Sequence, residues 1–432
     1  MRHGPRGLSW APRRPRRLTR LTLVRTMSQM RGNRKTAALA LVVAALASPL
    51  PRAAAATPLA RKLARALAVP HVSRAGSGAL VFDLASGAKV FSQNEARPLA
   101  PASNEKLTVT FAALTSLGAD YRIETDAFGE GTIEGTTLKG RLVLQGHGDP
   151  TLSSSDLVVL ARQVRAAGIR RVAGAIVGDE SYFDARRTAP GWKPSFYINE
   201  SPPLSALTVD RDWYVDHVST VPALAAAFKF RTALRRAGVL VVGPATTGKA
   251  TADASLLGAV ESPPLSEILR YMDHESDNFT AELLIKQLAA ANGSVGSTAA
   301  GATAVFGTLL GAGVRVGGVR LVDGSGLSYL DRLTARAVAG LLRVAWADPD
   351  VGPSLFAALP IAGVNGTLRH RLRSGPARGK VVAKTGTLNI ASALSGFVRR
   401  RYVFSVLQNG YPLAVSWART AQDRFVSVLA AQ

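Results

Sequence analysis

From Gly78 onward, apolar and polar positions follow the pattern of paired strands. The runs 79–84 and 88–91 flank Ala85-Ser86-Gly87 and predict a β-hairpin with a Gly-containing turn. The period then changes. Pro101 opens and Gly118 closes a predicted helix whose Leu107, Phe111, Leu114 and Leu117 fall on one stripe. Between about 123 and 262, short strands and turns dominate, with one helix capped by Asp156 and stopped by Gly168 and a second ending at Gly238. Helices return at 279–291 and about 298–311. Apolar, strand-like runs follow at 381–388, 393–398 and 402–407, and a last helix covers 415–429. Two strands before the Pro101 helix and three near the C-terminus predict one sheet assembled from both ends of the chain. The stretch 123–262 is then an inserted lobe. Gly168, Gly238 and Gly313 each stand between a helix and an apolar run, which reads as the common stop of an αβ unit and not as a repeat.

The net charge of +24 in 432 residues resembles that of a nucleic-acid binder until the charges are located. Residues 1–56 carry 12 Lys or Arg and no acidic residue, so half of the excess belongs to that segment. Arg31, Arg34 and Lys35 precede an apolar run at 36–50 and the small residues 53–56, the layout of a secretory signal peptide cleaved near Ala56. Met27 or Met30 is the expected translation start. The remaining +12 shows no clustering of basic with aromatic residues, which argues against nucleic acid and leaves a general attraction to polyanions. There is no cysteine, which excludes disulfides, thiolate metal sites, a cysteine nucleophile and a lipoprotein anchor. No segment after the leader is apolar for long enough to span a bilayer.

Three short motifs carry the candidate chemistry. Ser103 and Lys106 stand three residues apart at a helix start, so an amine meets a hydroxyl on one face. A serine hydroxyl needs such a neighbouring base, and lysine can serve once burial and the positive end of a helix dipole favour its neutral form. Alone, the pair reads more readily as a helix cap with a solvated lysine. Ser276-Asp277-Asn278 alone reads as an N-cap cluster, and Lys384-Thr385-Gly386-Thr387 as an edge strand ending in a Gly bulge. Together and in this order they form the Ser-x-x-Lys, Ser-Asp-Asn and Lys-Thr-Gly set of penicillin-binding proteins and class A β-lactamases. His147 and His274 show no metal spacing, and neither a metal nor another cofactor is expected. Asp323 and Ser325 read as turn residues.

With these motifs, and with the blocks 101–107, 148–152, 323–328 and 366–368, the chain resembles the D-alanyl-D-alanine carboxypeptidase/endopeptidase family, the low-molecular-mass class C penicillin-binding proteins. The resemblance implies an α/β (α+β), β-lactamase/transpeptidase-like fold, an antiparallel sheet flanked by helices with a large lobe inserted between the first two motifs. On that reading 57–122 plus 263–432 form the peptidase domain, and 123–262 the insertion. It also implies an exported, envelope-located enzyme acting on peptidoglycan stem peptides and trapped by β-lactams. Ser103 is the implied nucleophile, Lys106 its base, and Ser276 the proton relay to the leaving amine. Asn278 holds the acyl-side amide, Lys384 and Thr385 meet the terminal carboxylate, and Gly386-Thr387 brings an oxyanion-binding N–H beside that of Ser103. A β-lactamase and an idle wall-binding protein are the alternatives. No Glu-x-x-Leu-Asn segment is present to position a deacylating water, and the complete motif set disfavours an idle protein.

Overall fold

A computed structural model describes residues 57–432. The expected signal peptide, its cleavage near Ala56 and the start at Met27 or Met30 lie outside the described residues. Helix α1 (Pro58–Leu67) leads to the hairpin β1 (Ser77–Asp83) and β2 (Lys89–Gln93), whose turn is closed by Gly87 at φ +69°. A 3-10 turn, Ala102–Glu105, then runs directly into α2 (Lys106–Leu117), which Gly118 ends at φ +87°. Every position of α2 from Lys106 to Leu114 is buried, so it is wrapped on all sides and the predicted single stripe understates its packing.

The chain next builds β3 (Glu124–Glu134), β4 (Thr137–Gly146), α3 (Ser154–Ala166), β5 (Arg171–Val172), β6 (Ile176–Asp179), β7 (Trp213–Tyr214), β8 (His217–Val218), α4 (Pro222–Arg236), β9 (Leu240–Val241), β10 (Ala245–Thr247) and β11 (Ser255–Glu261). These form a sheet in the order β10-β6-β4-β3-β11, with β5 also pairing β4, β9 pairing β5, and β7–β8 paired separately. Leu142, Leu144, Leu157 and Phe230 lie in a core of its own between this sheet and α3 and α4. The cap of α3 is Ser153, which forms a reciprocal capping box with Asp156; the acidic residue is the partner three positions in, not the cap. Gly168 and Gly238 do separate helices from the strands β5 and β9, whereas no strand follows Gly313.

The remainder comprises α5 (Leu265–Glu275), α6 (Asn278–Ala291), α7 (Thr298–Gly311), α8 (Ala335–Ala347), α9 (Gly352–Ala358), β12 (Val381–Leu388), β13 (Ala391–Val398), β14 (Tyr402–Asn409) and α10 (Val415–Ala430). The strands complete one antiparallel sheet in the order β12-β13-β14-β1-β2. β1 pairs with β14 from Ser77 opposite Gln408 to Asp83 opposite Tyr402, so both ends of the described chain meet in the middle of the sheet. One face packs on α2 and the helices α5 to α9 through Leu107, Phe111, Leu284, Val338 and Leu407. The other packs on α1 and α10 through Leu63, Val81, Phe404 and Phe425. With both faces covered, all eight positions of β13 are buried, which explains why its sequence is small or apolar throughout and does not alternate. Among the described residues no helix is long and apolar enough to cross a membrane.

Candidate active site

The three motifs arrive from the start of α2, the α5–α6 turn and the edge strand β12. Ala102 adopts φ +47°, in a left-handed region that a residue with a Cβ avoids, and the 3-10 turn it opens presents Ser103 at the surface of a cleft. The Asn104 amide donates to the carbonyl of Lys384 (3.0 Å), tying this turn to β12. Gly386 permits the approach. A Cβ there would sit 2.8 Å from the Pro101 carbonyl oxygen and 3.1 Å from the Ser103 backbone nitrogen.

Lys106 is fully buried, and its Nζ contacts Ser103 Oγ (3.1 Å), Asn278 Oδ1 (2.8 Å) and the Ser325 carbonyl (2.6 Å). Two of these partners are obligate acceptors. A neutral amine donating to both keeps its lone pair for the Ser103 hydroxyl, which is the arrangement a general base requires. Burial pushes the Lys106 pKa down to about 8, against the opposing pull of Asp323, Asp277, Asp273 and Glu282.

Ser276 ends α5 at φ +59° and does not cap α6; Asp277 is that cap, accepting the Thr280 N–H at 2.8 Å. The left-handed residue lets the chain reverse between the two helices and aims Ser276 at β12. Lys384 Nζ donates to Ser276 Oγ (2.7 Å). Although β12 is an edge strand, Lys384 is fully buried, and burial with the nearby Lys106 charge lowers its pKa to about 7. Thr385 Oγ1 bonds Thr367 Oγ1 (2.8 Å) in the 366–368 block. Thr387 is exposed, and its hydroxyl accepts from the Arg419 guanidinium of α10 (3.2 Å). A cleft of about 410 Å³ is lined by Ser103, Ser276, Thr367, Arg371, Thr385 and Arg419 among others.

All eight residues singled out from sequence therefore stand around one cleft or directly behind it. Several neighbours were not anticipated. Asp323 is a buried carboxylate and not merely a turn residue: it accepts from the Gly326 N–H (2.7 Å), the Ser328 N–H (2.8 Å), Ser325 Oγ (3.1 Å) and Trp192 Nε1 (2.9 Å). Glu282 Oε1 accepts the N–H groups of Gly324 and Ser325 (3.0 and 2.8 Å), and burial raises its pKa to about 8. This loop thereby holds the Ser325 carbonyl on Lys106. Thr367 and Arg419 also escaped sequence reading, since nothing local separates them from ordinary turn and helix-surface residues.

Residues 59–220 and 215–432, in two overlapping stretches, match the D-Ala-D-Ala carboxypeptidase 3 (S13) family. The chain belongs to that family. The peptidase is 33% identical over 427 residues to a D-alanyl-D-alanine carboxypeptidase of an Actinomadura species, covering 78% of this chain and 79% of the relative. A carboxypeptidase of Mycobacterium tuberculosis is 33% identical over 346 residues, covering 74% and 72% of the two chains. In fold, the peptidase is similar to penicillin binding protein 4 of Haemophilus influenzae, with a TM-score of 0.75 over 86% of this chain and 98% of that one at 23% identity. The same Haemophilus protein complexed with a β-lactam aligns with a TM-score of 0.70. The β-lactamase/transpeptidase-like fold and the peptidase class implied by the motifs stand on these findings.

Proposed function

We propose that the chain is a serine-type D-Ala-D-Ala carboxypeptidase of the cell envelope, acting on peptidoglycan stem peptides and acylated by β-lactams at Ser103. The observation that carries this reading is the Lys106 amine held between Ser103 Oγ, Asn278 Oδ1 and the Ser325 carbonyl. As Ser103 Oγ attacks the carbonyl carbon between two D-alanines, Lys106 Nζ takes the hydroxyl proton. The oxyanion is met by the backbone N–H groups of Ser103 and Thr387, a donor pair of the kind that lowers such barriers by several kcal/mol. The carbon–nitrogen bond then breaks. The departing amine receives its proton from the Ser276 hydroxyl, which Lys384 Nζ in turn resupplies. Asn278 aligns the acyl-side amide, while Lys384, Thr385 and the neighbouring Arg419 favour a substrate ending in a carboxylate. Water attacks the resulting ester and frees Ser103. The segment 123–262 is proposed as an accessory domain inserted into the peptidase domain formed by 57–122 and 263–432, and residues 1–56 as the export leader.

The test is incubation with a pentapeptide stem, assaying free D-alanine, and with a fluorescent penicillin, assaying the adduct. Release of one D-alanine per stem and a stoichiometric, long-lived adduct, both lost in Ser103→Ala, are expected. Undiminished D-alanine release by Ser103→Ala would overturn the assignment, and rapid turnover of a chromogenic cephalosporin would favour a β-lactamase.

A further inference from the structure

Arg211 belongs to the segment between the first two motifs, yet its hydrogen bonds and its aromatic contact all fall on residues 277–279. Nη2 and Nη1 grip Asp277 Oδ2 and Oδ1 at 2.8 and 3.2 Å, a two-pronged fork, and the guanidinium lies 4.9 Å from the centre of the Phe279 ring. Asp277 is the middle residue of Ser276-Asp277-Asn278, so the fork closes on the turn that carries both flanking polar groups of the site.

The backbone is bent to deliver this side chain. Asp210, Arg211 and Asp212 have φ of +51°, +55° and +63°, a run of three in the left-handed region that residues with a Cβ avoid. Such a run persists only when held from outside. Asp210 supplies the hold: its carboxylate accepts the backbone N–H of Ser154 at the start of α3 (2.9 Å) and pairs with Lys229 of α4 (2.7 Å), while its own N–H donates to the Leu152 carbonyl (2.9 Å). Two helices of the 123–262 segment thus brace a strained turn whose product is one arginine placed on the second motif. The charge has a second effect. Lys106 faces Glu105, Asp273, Asp277, Glu282, Asp323 and the cation of Lys384, and the carboxylate of Asp277 favours its protonated form. Arg211 offsets that carboxylate.

We infer that Arg211 is a positioning residue for acylation: it fixes the Ser276–Asn278 turn and, by neutralising Asp277, keeps Lys106 able to accept the Ser103 proton. The inference rests on the roles proposed above for Lys106, Ser276 and Asn278. It makes the inserted segment a working part of the site.

The experiment measures the rate of acylation by a fluorescent penicillin from pH 6 to 10 in the full chain, with thermal unfolding recorded alongside. Arg211→Met is expected to acylate about tenfold more slowly at pH 7 and to show its rise with pH at higher pH than the native protein, because unbalanced Asp277 raises the Lys106 pKa. Arg211→Lys keeps the charge without the fork, so its midpoint stays native while its rate falls. In the double variant Arg211→Met/Asp277→Asn, the midpoint returns to the native value or below it; the asparagine amide oxygen still caps α6. A native rate in Arg211→Met, or a slower rate with an unmoved midpoint, overturns the inference. Should Arg211→Met fail to fold, Arg211→Lys decides: a slower rate at a native midpoint supports the inference, and a native rate refutes it. Ser103→Ala keeps the two readings apart. Labelling that survives Ser103→Ala removes the proposed nucleophile, whereas labelling that requires Ser103 but ignores Arg211 removes only the role of Arg211.

Discussion

Replacing Gly386 by alanine is expected to slow acylation of Ser103 while leaving the fold intact. The added Cβ would stand 2.8 Å from the Pro101 carbonyl oxygen and 3.1 Å from the Ser103 nitrogen. An ordinary carbon–oxygen contact begins near ~3.3 Å, so β12 and the Ser103 turn must part by about 0.5 Å. Both opposing atoms belong to backbone, and neither can swing aside as a side-chain tip would. A displacement of that size matches the tolerance within which a catalytic constellation must be held, and full loss of one oxyanion donor costs about 100- to 1,000-fold. A partial loss of about 10- to 100-fold, or about 1.4–2.7 kcal/mol in the barrier, is therefore expected. Because β12 is the edge of its sheet, stability should change by only about 1 kcal/mol. The assay is stopped-flow acylation by a reporter β-lactam, with urea unfolding as the control. Acylation of Gly386→Ala within about twofold of the native rate, in a folded protein, would refute the argument that strand proximity sets the oxyanion site.

Ser276→Ala removes the hydroxyl that accepts from Lys384 and is proposed to protonate the leaving amine, and D-alanine release from a pentapeptide should fall by about 100-fold or more, read as kcat. With Lys106 as the proposed base, acylation by the native protein should rise with pH through about 8, where its amine loses the proton. Asp323→Asn deletes the carboxylate that most strongly favours protonated Lys106, so this rise should move to lower pH; a shift to higher pH would contradict the assignment. Phe404 of β14 is fully buried against the α1–α10 layer, and Phe404→Ala should cost about 3–5 kcal/mol in urea unfolding.

The candidate catalytic groups were legible as candidates because each motif is contiguous and its chemistry is stated by residue type. Their convergence was legible only in part: the strand runs at 381–398 announced a sheet, yet nothing in Lys384 itself distinguishes a solvated edge lysine from a fully buried one. Its amine is met there by the Ser276 hydroxyl, which is distant in sequence. Asp323 and Ser325 read as a turn because they do form one; what converts the turn into part of the site is Glu282 and Trp192, again from elsewhere. Ser276-Asp277-Asn278 looked like a uniform cap cluster, whereas the structure divides the labour, with Ser276 closing one helix and Asp277 opening the next. Helices α1, α5, α8 and α9 went unread, although α1, α5 and α8 each carry an apolar face at helical spacing; only in α9, seven residues opened by Gly352-Pro353, is the stretch too short to show a period. Arg211 was invisible, since a left-handed backbone at a non-glycine residue leaves no sequence signature.

The pairing of β1 with β14 has a kinetic consequence. The hairpin that precedes Ser103 has no neighbour on its β14 side until a strand more than 300 positions later is present, so the central sheet closes only after nearly all of the chain has been collected. Lys384 reaches Ser276 from the same late segment. Fragments and folding intermediates that lack the last strands would thus contain Ser103 without β12 and Lys384 beside it. Activity should appear as a terminal event in refolding, after most of the helical signal has returned.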